Sequence, residues 1–200
     1  MSNPLGDLWF ENVPMGQRFR LVTLPAETGG ERFVREYLNR PRMGKYAIPE
    51  HFHPTWTETF EIVKGRARYR LGRVESEAEA GTRVVLPPNV RHLHPWSASD
   101  EELVVIHTAV ADPPDLRGLT ASLQGIVTIF ELAGRGKVKA SGAPGLLQLA
   151  VIAERTMPAT FVPGPPPSVQ RVAIKFLAAL GRWRGYRAVY PGIPVVPEHL

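Results

Sequence analysis

Five of the six histidines in this 200-residue chain lie between residues 51 and 107, and four of them form two His-x-His pairs. One pair is His51-Phe52-His53; the other is His92-Leu93-His94. On a β-strand, residues i and i+2 point to the same face. His51 and His53 can therefore converge on one point. Glu58 follows after Pro54-Thr55-Trp56-Thr57, enough chain to turn and bring a carboxylate back. His92 arrives from a later segment, past the turn residues Pro87-Pro88-Asn89. Neutral imidazoles with one carboxylate suit a single divalent ion of Fe, Mn, Ni, Zn, Cu or Co. The chain has no cysteine, so thiolate ligands and disulfides are excluded and His, Asp or Glu must hold any metal.

The remaining candidates are weighed against that set. His94 shares a face with His92 if the strand is regular, which makes it a rival ligand or a partner that orients one. His107 ends the apolar run Leu103-Val104-Val105-Ile106 and reads as a packed histidine. His199 has no specific role. Glu50 and Glu61 alternate away from His51 and Glu58. Tyr46, Trp56, Tyr69 and Trp96 are candidates for a pocket mouth or for plain core. Phe52 and Phe60 add apolar surface near the histidines. Arg66, Arg68 and Arg91 are the cations near enough in sequence to clamp an anion, and none is placed convincingly.

The elements that must position these groups change character along the chain. Short alternating segments occur at 18–22, 32–38, 59–63, 66–71, 82–86 and 103–107, with Lys64-Gly65, Gly72 and Pro87-Pro88-Asn89 between them. Short strands at close spacing read as a β-sandwich or barrel. After Ala111-Asp112-Pro113-Pro114 the period becomes helical. Leu116, Leu119, Leu123, Ile126, Val127 and Phe130 form one stripe, with Asp115 able to cap it. A second helix is expected near 145–155. A third is expected after Val162–Pro167, capped by Ser168, with Val169, Val172, Ala173, Phe176, Leu180 and Trp183 on its apolar face.

At the histidines the chain resembles the cupin superfamily. That family's first motif runs Gly, five residues, His-x-His, three or four residues, Glu, six residues, Gly. Here it is Gly44-KYAIPE-His51-Phe-His53-PTWT-Glu58-TFEIVK-Gly65, one residue longer after Gly44. The second motif runs Gly, five residues, Pro-x-Gly, two residues, His, three residues, Asn. Here it is Gly81-TRVVL-Pro87-Pro-Asn89-VR-His92-LHP-Trp96. Asn89 stands for the turn glycine, and Asn tolerates a left-handed backbone. Trp96 stands for the final Asn. The resemblance covers roughly residues 16–111. It implies a mainly β fold, the double-stranded β-helix or jelly-roll barrel, with the metal on His51, His53, Glu58 and His92. The expected organisation is a barrel domain over residues 1–112. Residues 113–200 form a helical C-terminal extension packed on the barrel or on a partner subunit. Pairing through barrel edges makes a homodimer the expected assembly.

Charge and hydropathy narrow the function classes. Residues 1–112 carry fourteen Lys+Arg against fifteen Asp+Glu, and residues 113–200 carry ten against four, so the net +5 belongs to the extension. No nucleic-acid motif accompanies it, and no nucleic-acid partner is expected. The N-terminal MSNPLGDLWF has neither a basic nor an apolar signal region, and no apolar run approaches the ~20 residues of a membrane span. The expected location is cytoplasmic. The chemistry expected is that of a metal-dependent enzyme, oxygenase-like, acting on a small apolar or aromatic metabolite; the resemblance also allows an isomerase or a cyclase. One alternative is a non-catalytic module that binds or senses a small-molecule ligand. Another is a scaffold whose helical tail contacts a protein or, through Gly181–Arg187, an anionic membrane surface.

Overall fold

A computed structural model describes residues 3–45, 48–156 and 159–199. Nine strands are followed by three helices among these residues. The strands are β1 (Phe10–Asn12), β2 (Gln17–Thr23), β3 (Arg32–Asn39), β4 (Trp56–Lys64), β5 (Arg66–Leu71), β6 (Val74–Glu79), β7 (Arg83–Leu86), β8 (His92–Ser97) and β9 (Leu103–Ala111). They form a six-stranded sheet in the order β1-β2-β3-β9-β4-β7 and a three-stranded sheet β6-β5-β8, all antiparallel. The architecture is the double-stranded β-helix with C-terminal helices.

Period-two alternation sets the inner face of each strand. Trp56, Glu58, Phe60 and Ile62 point inward from β4, and Phe33, Arg35 and Tyr37 from β3. Two of these inward residues are charged, which an apolar core does not tolerate without partners. The Tyr37 hydroxyl donates to the Pro95 carbonyl of β8 at 2.9 Å and ties the two sheets together across the interior. Strand β6 was not expected, because Val74-Glu-Ser-Glu-Ala-Glu79 has little apolar content. Cross-strand charge supports it instead: Arg66, Arg68 and Arg70 of β5 face Glu79, Glu77 and Glu75 in register.

The helices are α1 (Leu116–Gly134), α2 (Leu146–Thr156) and α3 (Pro167–Trp183). Asp115 caps α1 by accepting from the Gly118 amide at 2.8 Å. Leu119, Leu123, Val127 and Phe130 bury the barrel-facing side of α1, with Phe130 edge-on to Phe19. Helix α3 differs from expectation at its start. It starts at Pro167 behind Pro166, so Ser168 is not its cap. Its buried face is Gln170, Ala178 and Gly181, whereas Val172, Phe176 and Trp183 are exposed. Close approach decides this face. A Cβ at Gly181 would lie 2.6 Å from Val151 Cγ2 and 2.8 Å from the Leu147 carbonyl oxygen, so only a glycine lets α3 seat on α2 here. The helix ends at Trp183 and Gly185 turns left-handed (φ 84°), which splits 181–187 between a helix end and a turn. Among the described residues no helix is long and apolar enough to cross a membrane.

The extension is also hydrogen-bonded to the barrel. Phe52 and Phe161 exchange backbone hydrogen bonds at 2.9 and 3.0 Å, laying residues 159–162 beside the His-x-His segment. Gln170 of α3 grips that stretch from the other side, accepting from the Val162 amide (3.1 Å) and donating to the Val162 carbonyl (2.8 Å).

The seat of α1 rests on one glycine. At Gly30 (φ 86°) a Cβ would stand 2.4 Å from the Leu116 amide nitrogen, whereas at neighbouring Gly29 (φ 62°) it would meet nothing within 4 Å. Gly29→Ala should cost about 1 kcal/mol, the strain of a left-handed alanine. Gly30→Ala should cost at least about 2 kcal/mol more, because backbone must move. Urea unfolding of the two variants measures the difference, and equal losses would show that α1 does not press on this loop.

Candidate metal centre

Glu58 projects from β4 of one sheet, while His92 and His94 project from β8 of the other with rings 5.6 Å apart and nearly parallel. His51 joins them through a two-way backbone bridge to His92 (His51 N to His92 O 3.1 Å, His92 N to His51 O 2.8 Å). Asn89 adopts the left-handed conformation expected of it (φ 62°). Its amide donates to the His53 carbonyl at 2.7 Å, so the turn before β8 also holds the segment after His51. His51, Glu58, His92 and His94 offer ligand atoms within 4.8 Å of one another. His53 stands beside this group, Nε2 at 3.7 Å from Glu58 Oε2, with its ring stacked on Trp56.

Hydrogen bonds sort these imidazoles into two kinds. His51 Nδ1 lies 2.8 Å from the Pro49 carbonyl, His53 Nδ1 lies 2.7 Å from that of Ala159, and His92 Nδ1 lies 2.9 Å from that of Val90. A carbonyl only accepts, so each Nδ1 carries the proton and each neutral Nε2 presents a lone pair. His107 is the reverse. Arg35 Nε donates to its Nδ1 at 2.8 Å, and a guanidinium only donates, so the proton sits on Nε2, 2.9 Å from Glu58 Oε1. His94 follows the same rule, with Arg35 Nη2 3.4 Å from its Nδ1 and its Nε2 3.1 Å from Glu58 Oε2.

The first kind creates a problem that a cation solves. His51 Nε2 and His92 Nε2 face each other at 3.3 Å, and His92 Nε2 lies 2.8 Å from Glu58 Oε2. Two imidazole lone pairs and a carboxylate oxygen crowd one point, and only the His94 Nε2 proton is directed at it. The donor set fits a divalent ion, and the backbone partners on Nδ1 are the usual means of orienting ligating histidines. His92 shows the same pull: burial works against its charged form, but Glu58 outweighs burial and raises its pKa. Burial pushes His94 down to about 4 and His107 down to about 3, against the attraction of Glu58. It also lowers His51 and His53. Glu58 is held well below the ordinary carboxyl range; burial opposes this, and the surrounding imidazoles, His94 foremost, outweigh it.

A cavity of about 210 Å³ opens onto Arg35, Glu58 and His94, and Ile126, Ile129, Leu149 and Ile152 of α1 and α2 roof it. Several expectations look different against it. His107 is no mere packed histidine: it is 1 % exposed and its Nε2 lies 2.9 Å from Glu58 Oε1. Arg35 went unnoticed as a site residue, although its place between Phe33 and Tyr37 in an alternating strand put it on the inner face. Arg66, Arg68 and Arg91 lie outside the cavity and pair with Glu79, Glu77 and Glu50. Trp56 backs His53, Trp96 lies under Lys45, and neither these nor Tyr69 line the cavity; Tyr46 lies outside the described residues.

Residues 42–109 match the family model of the cupin domain. Similar solved structures include a cupin-like protein from Thermotoga maritima, 22% identical over 55% of this chain and 76% of that one, with a TM-score of 0.41. A cupin-2 domain from Rhodospirillum rubrum is 19% identical over 50% of this chain and 62% of that one, with a TM-score of 0.38. KdgF from Halomonas sp. is 14% identical over 51% of this chain and 84% of that one, with a TM-score of 0.41. No curated protein matches the chain. Likeness at this level says nothing of activity.

The buried imidazoles predict an acid-sensitive fold once metal is removed. Unfolding frees His51, His53, His94 and His107 to protonate near 6.5, so the unfolded chain takes up more protons than the folded one below that pH. Glu58 acts in the same sense at lower pH, and His92 opposes. Stability in EDTA should therefore fall from about pH 6.5 toward pH 4, by about 1.4 kcal/mol per pH unit for each proton taken up. Urea midpoints measure it; a flat profile across that window would contradict the neutral assignment.

Proposed function

This chain is a member of the cupin superfamily, and on that premise we propose that it is a metal-dependent, oxygenase-like enzyme acting on a small apolar or aromatic metabolite. The ligands in this reading are His51, His53, Glu58 and His92. The observation that carries it is the tautomer pattern. Three imidazoles are locked by backbone carbonyls with their Nε2 lone pairs available, and one ionised carboxylate stands among them. His94 lies closer to the group than His53, but its Nε2 proton is committed to Glu58, so it orients the carboxylate and is not itself a ligand.

A divalent ion held there would act as a Lewis acid with positions left for an exogenous ligand. The chain's own groups prepare that place. His94 and His107 keep Glu58 charged and aimed. The helical roof covers the cavity with Ile126, Ile129 and Ile152, which strips water from whatever binds. Apolar walls beside a polar end favour a mostly hydrocarbon substrate.

Metal analysis tests the ligand assignment directly. The protein should hold about one divalent ion per chain, lost on His51→Ala, His53→Ala, His92→Ala or Glu58→Ala. His94→Ala and His107→Ala should keep it with affinity reduced about 10–100-fold, the usual effect of removing a group that orients a ligand. Loss on His94→Ala with retention on His53→Ala would exchange their roles. Aerobic assay of the Fe(II)- and Mn(II)-loaded protein against alkyl and aryl metabolites, followed by dioxygen uptake, tests the oxygenase reading. Saturable binding without uptake would reduce the protein to a binding module.

A further inference from the structure

Arg35 is the most unusual residue in the interior. It is 1 % exposed, it lines the cavity, and among the described residues it makes no ion pair with any carboxylate. Its Nε and Nη2 are spent on His107 and His94, and Phe19 and Tyr37 flank it at 5.8 and 5.5 Å. Nη1 is buried with no hydrogen-bond partner among the described residues. A guanidinium does not deprotonate in a protein, so this is a fixed buried charge with an unmet donor. Its nearest anion, Glu58, is reached only through the imidazoles of His107 and His94.

We propose that the cavity takes an apolar monocarboxylate, an alkyl or aryl acid. Its carboxylate is received by Arg35 beside the metal centre, and its hydrocarbon lies under α1 and α2. The proposal deepens the metal-enzyme reading and rests on it for the ion's share of the attraction. Charge supports it. With the histidines neutral, Glu58 carries one negative charge and Arg35 one positive; a divalent ion would leave the enclosed site at plus two. Burial of unbalanced charge is costly, and an anionic ligand removes the imbalance. The walls restrict what the anion is attached to. Ile126, Ile129, Leu149, Ile152 and Ile174 offer no polar atom. Gln170, which also lines the cavity, spends its amide on Val162 and Pro165. A dicarboxylate or a sugar acid would have polar groups left facing isoleucine. Charge-assisted hydrogen bonds from a planar guanidinium suit a carboxylate better than a neutral amide of the same shape.

Calorimetric titration of Zn(II)-loaded protein tests this without turnover. Octanoate and phenylacetate are compared with octanamide and phenylacetamide. At least one acid should bind about ten-fold or more tighter than its amide. Arg35→Met, compared at equal metal occupancy, should abolish that preference while leaving amide affinity within about three-fold, and Arg35→Lys should restore part of it. Equal affinity for acid and amide, no binding of either acid to metal-loaded protein, or a preference that survives Arg35→Met would overturn the proposal. The same titration on EDTA-treated protein separates the two readings. Should the chain hold no metal at all, an Arg35-dependent preference for the acids would still uphold the carboxylate site while the metal reading fell.

Discussion

A single buried carboxylate, Glu58, is the constraint around which the interior is arranged. It is 2 % exposed, and an ion in that position costs several kcal/mol unless partners replace its water. Two strands on either side of it carry the replacement. His94 on β8 donates to one of its oxygens, His107 on β9 brings its Nε2 to 2.9 Å of the other, and Arg35 on β3 sets the tautomer of both. The remaining imidazoles are turned the other way by backbone carbonyls and donate nothing to it. Glu58 is thus satisfied on one side and confronts lone pairs on the other. That asymmetry is one a cation could meet, unlike a polar network that closes on itself.

Much of this was legible before any coordinates. The His-x-His pairs, with the resemblance to the cupin motifs, already grouped His51, His53, Glu58 and His92, and Asn89 was expected to take the left-handed turn. Strand β6 was not legible: it is held by arginine–glutamate pairing across to β5, and a run with three glutamates carries no hydrophobic period. The face by which α3 seats on α2 was not legible for the opposite reason. Its large apolar residues form a clear stripe, yet Gly181 and Ala178 permit a closer seat on α2 than Phe176 or Trp183 could, and steric fit prevailed over hydropathy. The roles of His107 and Arg35 depended on partners seventy-two positions apart, which no local pattern encodes. Their alternation with Phe33, Tyr37 and Val105 did mark them as inward, and an inward arginine between aromatic residues was the available clue.

The helical extension changes what the barrel can be. His53 takes its orientation from the Ala159 carbonyl, beyond the strands altogether, and Phe161 pairs with Phe52 inside the His-x-His segment. Gln170 then fastens residue 162 to α3. A continuous set of hydrogen bonds therefore runs from the third helix to one imidazole of the centre. The barrel by itself would leave the His53 Nδ1 proton without that acceptor and the cavity without its roof.

This connection also explains why the roof is helical. A loop lying over a buried charged centre would bring its own backbone groups, each needing a partner where water is scarce. Helices satisfy their backbone internally and can present mainly isoleucine and leucine to the cavity. Residues 159–162 are the one non-helical stretch close to the imidazoles, and their polar groups at 159, 161 and 162 are all used, on His53, Phe52 and Gln170. The largely apolar roof and the polar floor are therefore parts of one arrangement: the extension spends its backbone on the barrel where it must be irregular, and exposes mainly hydrocarbon to the cavity where it is regular. A ligand entering that space meets directed charge on one side, from Arg35 and the Glu58 centre, and mostly hydrocarbon from α1 and α2, with Ser122 and Thr156 their polar side chains there.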